Sequence, residues 1–151
     1  MKFYLVLLMM LFGLVFSSVP ATANDLEIPA EFGIPDNTLS IVGIPSSRVD
    51  SSAGQTSRVE LNKSERDEYK LRISLIDGKY YWTSRDNVEL AYIHTYGVCG
   101  MFIPTNGHGY IKMCNSPDGV SYIEIVSMLD SSISYFGTAS FLSSGKSEPK
   151  A

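Results

Sequence analysis

The chain has 151 residues, of which 44% are hydrophobic, and it carries a formal net charge of −4 at neutral pH. Its bases are scattered, whereas a protein that binds nucleic acid presents a concentrated basic patch. Nucleic acid is therefore excluded as a partner, and we expect a protein or glycan partner instead.

The N-terminus predicts a secretory signal peptide. Lys2 precedes an apolar run over residues 3–16, and Pro20-Ala21-Thr22-Ala23 ends in an A-x-A cleavage pattern. The run is shorter than the about 20 residues of a membrane-spanning helix. We therefore predict that residues 1–23 are removed, that the chain has no membrane span, and that the protein is exported to the periplasm or the extracellular medium.

Residues 24–66 are predicted to form an extended N-terminal arm that is rich in proline and serine. Ile-Pro occurs at 28/29, 34/35 and 44/45, and each proline favours extended geometry in the residue before it. Within the arm we expect edge strands at best, over residues 39–43 and 58–61. The repeated Ile-Pro either lays the arm over the domain's own core or binds a partner.

Residues 67–144 are predicted to be the β domain core. A short helix over residues 64–69, capped by Ser64, is expected at its start. The first hairpin turns at Asp77-Gly78, which pairs Ile73 with Trp82 and Leu75 with Tyr80 on its core face, and a further strand is expected over residues 88–95.

The only two cysteines, Cys99 and Cys114, flank a second hairpin signal, Asn106-Gly107. Folding the chain about this dipeptide places residue 99 opposite residue 114, which predicts a disulfide. A two-residue loop makes them a hydrogen-bonded pair, and a four-residue loop over 105–108 makes them a non-hydrogen-bonded pair with closer side chains. The alternative, two free thiols, requires a reducing compartment.

The last strands are expected over residues 120–129 and 133–142, on either side of Asp130-Ser131-Ser132. Residues 145–151 are a polar tail that is predicted to be disordered. Turn signals that recur every 8 to 12 residues predict an all-β fold, an antiparallel meander forming a small β-sandwich or barrel with one cross-strand disulfide.

Catalytic signals are weak. His94 and His108 fall in different hairpins, Glu89 and Glu124 are expected to point outward from their strands, and paired cysteines are not free to act. We therefore predict no catalytic residue, no cofactor and no metal.

Tyrosine, tryptophan and arginine are common in binding surfaces, and Tyr81 with Arg85 is our tentative binding surface. We expect a binding or inhibitory protein that acts by protein or ligand recognition without catalysis. The alternative is a structural or assembly component of the cell envelope or of an extracellular complex, which self-associates through the N-terminal arm. An enzyme is the third class, and we expect a monomer or a weak homo-oligomer.

Overall fold

A computed structural model describes residues 31–94, 97–144 and 149. The predicted signal peptide lies outside these residues, as does most of the predicted C-terminal tail. Within them the chain forms nine strands and one helix, with these bounds: β1 Ser40–Ser52, β2 Gln55–Glu60, α1 Lys63–Glu68, β3 Leu71–Ile76, β4 Lys79–Trp82, β5 Val88–His94, β6 Cys99–Pro104, β7 Gly109–Ser116, β8 Gly119–Ser127 and β9 Ser131–Leu142.

The strands form one antiparallel sheet that closes into a barrel. From β3 to β9 each strand pairs with the next in chain order, and β9 returns to pair with the whole length of β1. The closed barrel has eight strands, and β2 is an additional strand. The all-β prediction is confirmed, and of the two architectures considered the structure is the barrel.

Strand β1 differs most from expectation. It is 13 residues long and pairs with β9 on one edge and with β3 and then β2 on the other. The expectation of an edge strand at best over residues 39–43 was therefore wrong, whereas β2, which holds most of the other predicted segment, 58–61, is an edge strand. Proline is tolerated because the register with β9 shifts between Pro45 and Ser47, so that a residue without an N–H stands where the ladder is already irregular.

The inside of the barrel is filled by side chains that alternate along the strands. The predicted pairs Ile73 with Trp82 and Leu75 with Tyr80 are both confirmed. The core cluster consists of these buried residues: Phe32, Ile41, Leu71, Ile73, Trp82, Leu90, Phe102, Ile111, Met113, Tyr122 and Ala139.

The two ends of the barrel are closed differently. The end that we call the upper end carries the turns at residues 53–54, 83–87, 105–108 and 128–130, together with α1. At the opposite, lower end the backbone N–H of Phe32 donates to the carbonyl oxygen of Gly97 over 2.9 Å. The Phe32 ring packs so tightly on Gly100 that a Cβ atom there would lie 2.6 Å from it.

Helix α1 begins at Lys63, one residue earlier than expected. Its N-cap is Asn62, whose side chain accepts hydrogen bonds from the backbone N–H groups of Ser64 and Glu65. The Glu65 carboxylate in turn accepts from the Asn62 N–H and completes a capping box. The prediction of Ser64 as the cap was wrong because Ser64 already lies inside the helix.

The disulfide between Cys99 and Cys114 is confirmed, in the predicted register. Asn115 donates its N–H to the Val98 carbonyl oxygen over 2.8 Å, so the neighbouring cysteine pair is of the non-hydrogen-bonded kind. The Cα atoms of the two cysteines are accordingly only 4.0 Å apart. The loop is the four-residue alternative, because β6 ends at Pro104 and β7 begins at Gly109.

Candidate functional site

A glutamate lies inside the barrel. Glu124 on β8 is completely buried, and in the sheet it stands between Ile111 of β7 and Tyr135 of β9. The expectation that it points outward was wrong. Strand β8 carries apolar residues on both faces, so hydrophobicity alone does not say which face is inside.

Two donors converge on one oxygen of this carboxylate. The indole N–H of Trp82 donates to Oε1 over 3.1 Å, and Nη2 of Arg85 lies 3.1 Å from the same atom. The other oxygen, Oε2, is buried without a hydrogen-bond partner. Burial raises the pKa of Glu124 to about 7, although Arg85 and the Trp82 hydrogen bond both act to lower it.

The turn between β4 and β5 directs Arg85 toward the barrel interior. The Arg85 N–H donates to the Trp82 carbonyl oxygen over 3.0 Å, and its Nη1 donates to the Ser84 carbonyl oxygen over 2.9 Å. Asp86 and Asn87 follow with φ values of 51° and 54°, the left-handed conformation that Asp and Asn tolerate best among residues with a side chain. This local geometry keeps the side chain of Arg85 only 26% exposed.

A stack of cations and aromatic rings continues from this ion pair to the surface. The Arg85 guanidinium lies 5.4 Å from the centre of the Tyr135 ring, which is 5.5 Å from the Tyr69 ring at the end of α1. Arg48 lies over the Tyr69 ring, 5.6 Å from its centre, and forms an ion pair with Asp50 at 2.8 Å. The stack fixes α1 and the β4–β5 turn to the barrel wall at the upper end.

The chemistry open to this site is the exchange of a proton near neutral pH and the acceptance of hydrogen bonds. Among residues 31–94 and 97–144, no group of three or more His, Cys, Asp or Glu residues is arranged to hold a metal ion. His94 lies away from the site, at the lower end, where its Nε2 is 3.2 Å from a Glu31 carboxylate oxygen.

The structure does not bring the predicted pair Tyr81 and Arg85 onto one surface. Tyr81 alternates with the inward-facing Tyr80 and Trp82, so it lies on the outer face of β4, opposite Glu89 of β5. Arg85 instead contacts Glu124 and Tyr135 inside the barrel mouth.

The upper end carries two exposed apolar side chains, Met128 and Leu129, which the sequence analysis assigns to a strand. We expected the strand to run to residue 129, but β8 ends at Ser127, and the N–H of Met128 donates to the Ser131 carbonyl oxygen over 2.8 Å to close the turn. Met128 is 49% exposed, and Leu129 is fully exposed at the tip. The turn signal Asp130-Ser131-Ser132 begins only after Leu129, so it did not separate Met128 and Leu129 from the strand.

A groove of about 440 Å³ lies between this tip and the β1–β2 turn. One wall is the turn of residues 127–132, with Met128 and Leu129, and the other is the turn of residues 51–56, with Ala53-Gly54 at its tip. The lining is rich in serine and threonine, so the groove offers hydroxyl groups next to an apolar tip.

Comparison of the chain with protein families, with curated proteins and with solved structures gives no match. In the part of the chain that the structure describes, no helix is long and apolar enough to cross a membrane.

Proposed function

We propose that the protein is an exported binding or inhibitory protein that recognises a partner protein through the upper end of its barrel, without catalysis. The observation that carries this proposal is the fully exposed Leu129 side chain at the tip of the β8–β9 turn. Export is part of the proposal, and the Cys99–Cys114 disulfide supports it because such bonds persist in oxidising compartments.

The apolar tip is suited to insertion into a pocket of a partner. Leu129 and the half-exposed Met128 both line the groove beside the tip, and exposed apolar patches mark interaction sites. The turn that carries them is held by the Met128–Ser131 hydrogen bond and by the β8–β9 pairing below it. A tip that is already ordered loses little conformational entropy on binding.

The groove beside the tip supplies polar contacts. Hydroxyl groups and backbone from Ser51, Thr56 and Ser131 line it, and such groups hydrogen-bond the main chain of an extended segment. An apolar anchor next to a polar, solvent-accessible rim is the usual anatomy of a protein–protein interface.

Buried side chains fill the barrel below the upper end, which favours recognition at the surface over storage of a small molecule inside. Phe102, Ile111 and Met113 are completely buried at its centre. In this proposal the Glu124–Arg85 pair and the aromatic stack keep the upper end rigid, and they do not themselves contact the partner.

The proposal is tested by a binding experiment with Leu129→Ser. The protein is immobilised through its C-terminus and incubated with the exported proteins of the cells that make it, and the retained proteins are identified by mass spectrometry. Ile93→Ser is the matched control, because Ile93 is another apolar side chain, 45% exposed, near the lower end of β5. We expect a retained protein that is lost with Leu129→Ser and kept with Ile93→Ser, whereas equal retention by both variants contradicts the proposal.

A further inference from the structure

Strand β2 has an open edge. All six of its residues are exposed, and it pairs only with β1. No other strand of residues 31–94 and 97–144 pairs with its second edge. An open edge of this kind presents unpaired backbone N–H and C=O groups to another strand.

The register of the β1–β2 hairpin determines which backbone groups face that edge. Ser52 and Gln55 close the two-residue turn and form a hydrogen-bonded pair, so odd-numbered residues of β2 direct their backbone groups toward β1. The N–H of Leu61, which donates to the Ser46 carbonyl oxygen over 2.9 Å, continues this alternation. Thr56, Arg58 and Glu60 therefore direct their backbone groups toward the open edge.

The charges on β2 favour one register over the others when two copies of this strand pair. An antiparallel pair of two β2 strands opposes even-numbered residues to each other, so, among the residues of β2, Arg58 of one copy meets Thr56, Arg58 or Glu60 of the other. Arg58 opposite Arg58 brings two like charges together, which destabilises a sheet, and Arg58 opposite Thr56 brings no charges together. Arg58 opposite Glu60 is the one pairing of the three that opposes unlike charges, and by symmetry it does so twice.

We propose that β2 pairs with β2 of a second copy of this chain, antiparallel about Val59, to form a two-fold symmetric dimer. Arg58 of each copy then faces Glu60 of the other. Within one copy these two side chains are 3.3 Å apart and about two-thirds exposed, so both are accessible to a partner strand. Val59 is 47% exposed in the single chain, and in the dimer it meets its own symmetry mate.

The inference is independent of the proposed recognition of a partner through Leu129. It gives self-association through the N-terminal arm, residues 24–66, a defined surface, because β2 belongs to that segment. The Ile-Pro repeat at Ile44 and Pro45 is not that surface, since it lies within β1 and pairs with β9. Adding a strand to an open edge is a common mode of association.

A pair of cysteine variants tests the register. In the proposed dimer the two Val59 Cα atoms are directly opposite, about 4.5 Å apart, whereas the two Ser57 Cα atoms are about 14 Å apart. Val59→Cys and Ser57→Cys are incubated with oxidised glutathione, and covalent dimers are measured by intact mass and non-reducing electrophoresis. We expect Val59→Cys to cross-link at least tenfold faster than Ser57→Cys. Equal rates, faster cross-linking of Ser57→Cys, or no cross-linking of either variant would overturn the proposal.

A charge exchange tests the same interface without cysteines. Arg58→Glu places a carboxylate opposite Glu60 of the other copy, and we expect the dimer dissociation constant, measured by analytical ultracentrifugation, to rise roughly tenfold. The double variant Arg58→Glu/Glu60→Arg restores opposite charges and is expected to recover the dimer. A wild-type protein that stays monomeric at millimolar concentration, or a double variant as weak as the single one, contradicts the proposal, and circular dichroism verifies that each variant is folded.

Discussion

Trp82 and Glu124 are hydrogen-bonded across the inside of the barrel, with 3.1 Å between the indole nitrogen and Oε1. They belong to β4 and β8, which stand on opposite sides of the closed eight-strand order. The bond therefore links two walls of the barrel that share no backbone hydrogen bonds. It also places an ionisable group where its charge is costly, because the second carboxylate oxygen has no partner.

The buried carboxylate predicts that stability falls as the pH rises. The pKa of Glu124 is about 7 in the folded protein against an ordinary value of 4.5, so the folded state holds a proton that the unfolded state has already released. The free energy of unfolding is expected to fall by about 3 kcal/mol between pH 4.5 and just above pH 7 on account of this group. Urea denaturation at a series of pH values measures it.

Glu124→Gln is the control for this pH dependence. The amide keeps an oxygen that accepts from Trp82 and Arg85, but it does not titrate. The difference in unfolding free energy between wild type and variant is expected to change across this window in favour of the variant at high pH. A difference that stays constant from pH 4.5 to 8 would show that Glu124 has the same pKa in the folded and unfolded states.

Trp82→Phe removes the indole donor and keeps an aromatic ring in the core. The expected loss is about 2 kcal/mol of unfolding free energy at pH 8, where Glu124 is mostly ionised, and less at pH 5, where it is neutral. The same substitution in the Glu124→Gln background should lose this pH dependence. A loss that is equal at both pH values in both backgrounds would indicate that only packing is affected.

Gly137 is predicted to be intolerant of a side chain. A Cβ atom at this position would lie 2.0 Å from the carbonyl oxygen of Ile44, where β1 shifts its register against β9. Gly137→Ala is therefore expected to cost more than about 3 kcal/mol or to prevent barrel closure, because backbone atoms cannot move aside as a side chain can.

Gly33→Ala is the matched variant, since nothing lies within 4 Å of a Cβ atom there. Its thermal midpoint should stay within about 2 °C of the wild-type value, as for an exposed position outside regular structure. If the two alanine variants were equally stable, the close approach of β9 to β1 would not be as described.

The Cys99–Cys114 disulfide joins β6 and β7 near the lower end of the barrel. Its two cysteines are separated by 15 positions in the chain, and a loop of this size corresponds to about 3 kcal/mol of stabilisation. The double variant Cys99→Ser/Cys114→Ser is expected to lose about that amount in urea denaturation. Intact mass should show alkylation of wild-type cysteines only after reduction, and labelling without reduction would contradict the pairing.

Most of the correct predictions from the sequence came from residues that favour tight turns. Asp77-Gly78 and Asn106-Gly107 set the registers of two hairpins, because a turn dipeptide fixes which residues oppose each other. The closure of the barrel was not predictable in this way. The pairing of β1 with β9 joins distant parts of the chain, and the Ile-Pro and serine-rich composition of β1 argued against a long paired strand.

The candidate site was harder to predict from the sequence than the fold. The inward direction of Glu124 depends on the parity of β8, and that strand is apolar on both faces. The turn that carries Arg85 contains two consecutive left-handed residues, Asp86 and Asn87, and these residue types permit that conformation without requiring it. Tyr81 and Arg85 were therefore grouped by nearness in the chain, although the sheet separates them.

Photo-cross-linking shows whether the partner contacts the tip of the β8–β9 turn. A benzoyl-phenylalanine replaces Leu129 in one protein and Ile93 in another, and each is irradiated with the exported proteins of the producing cells. We predict one discrete adduct from position 129, absent from position 93 and suppressed by excess wild-type protein but not by excess Leu129→Ser. The absence of an adduct at position 129, or the same adducts from both positions, would contradict the account.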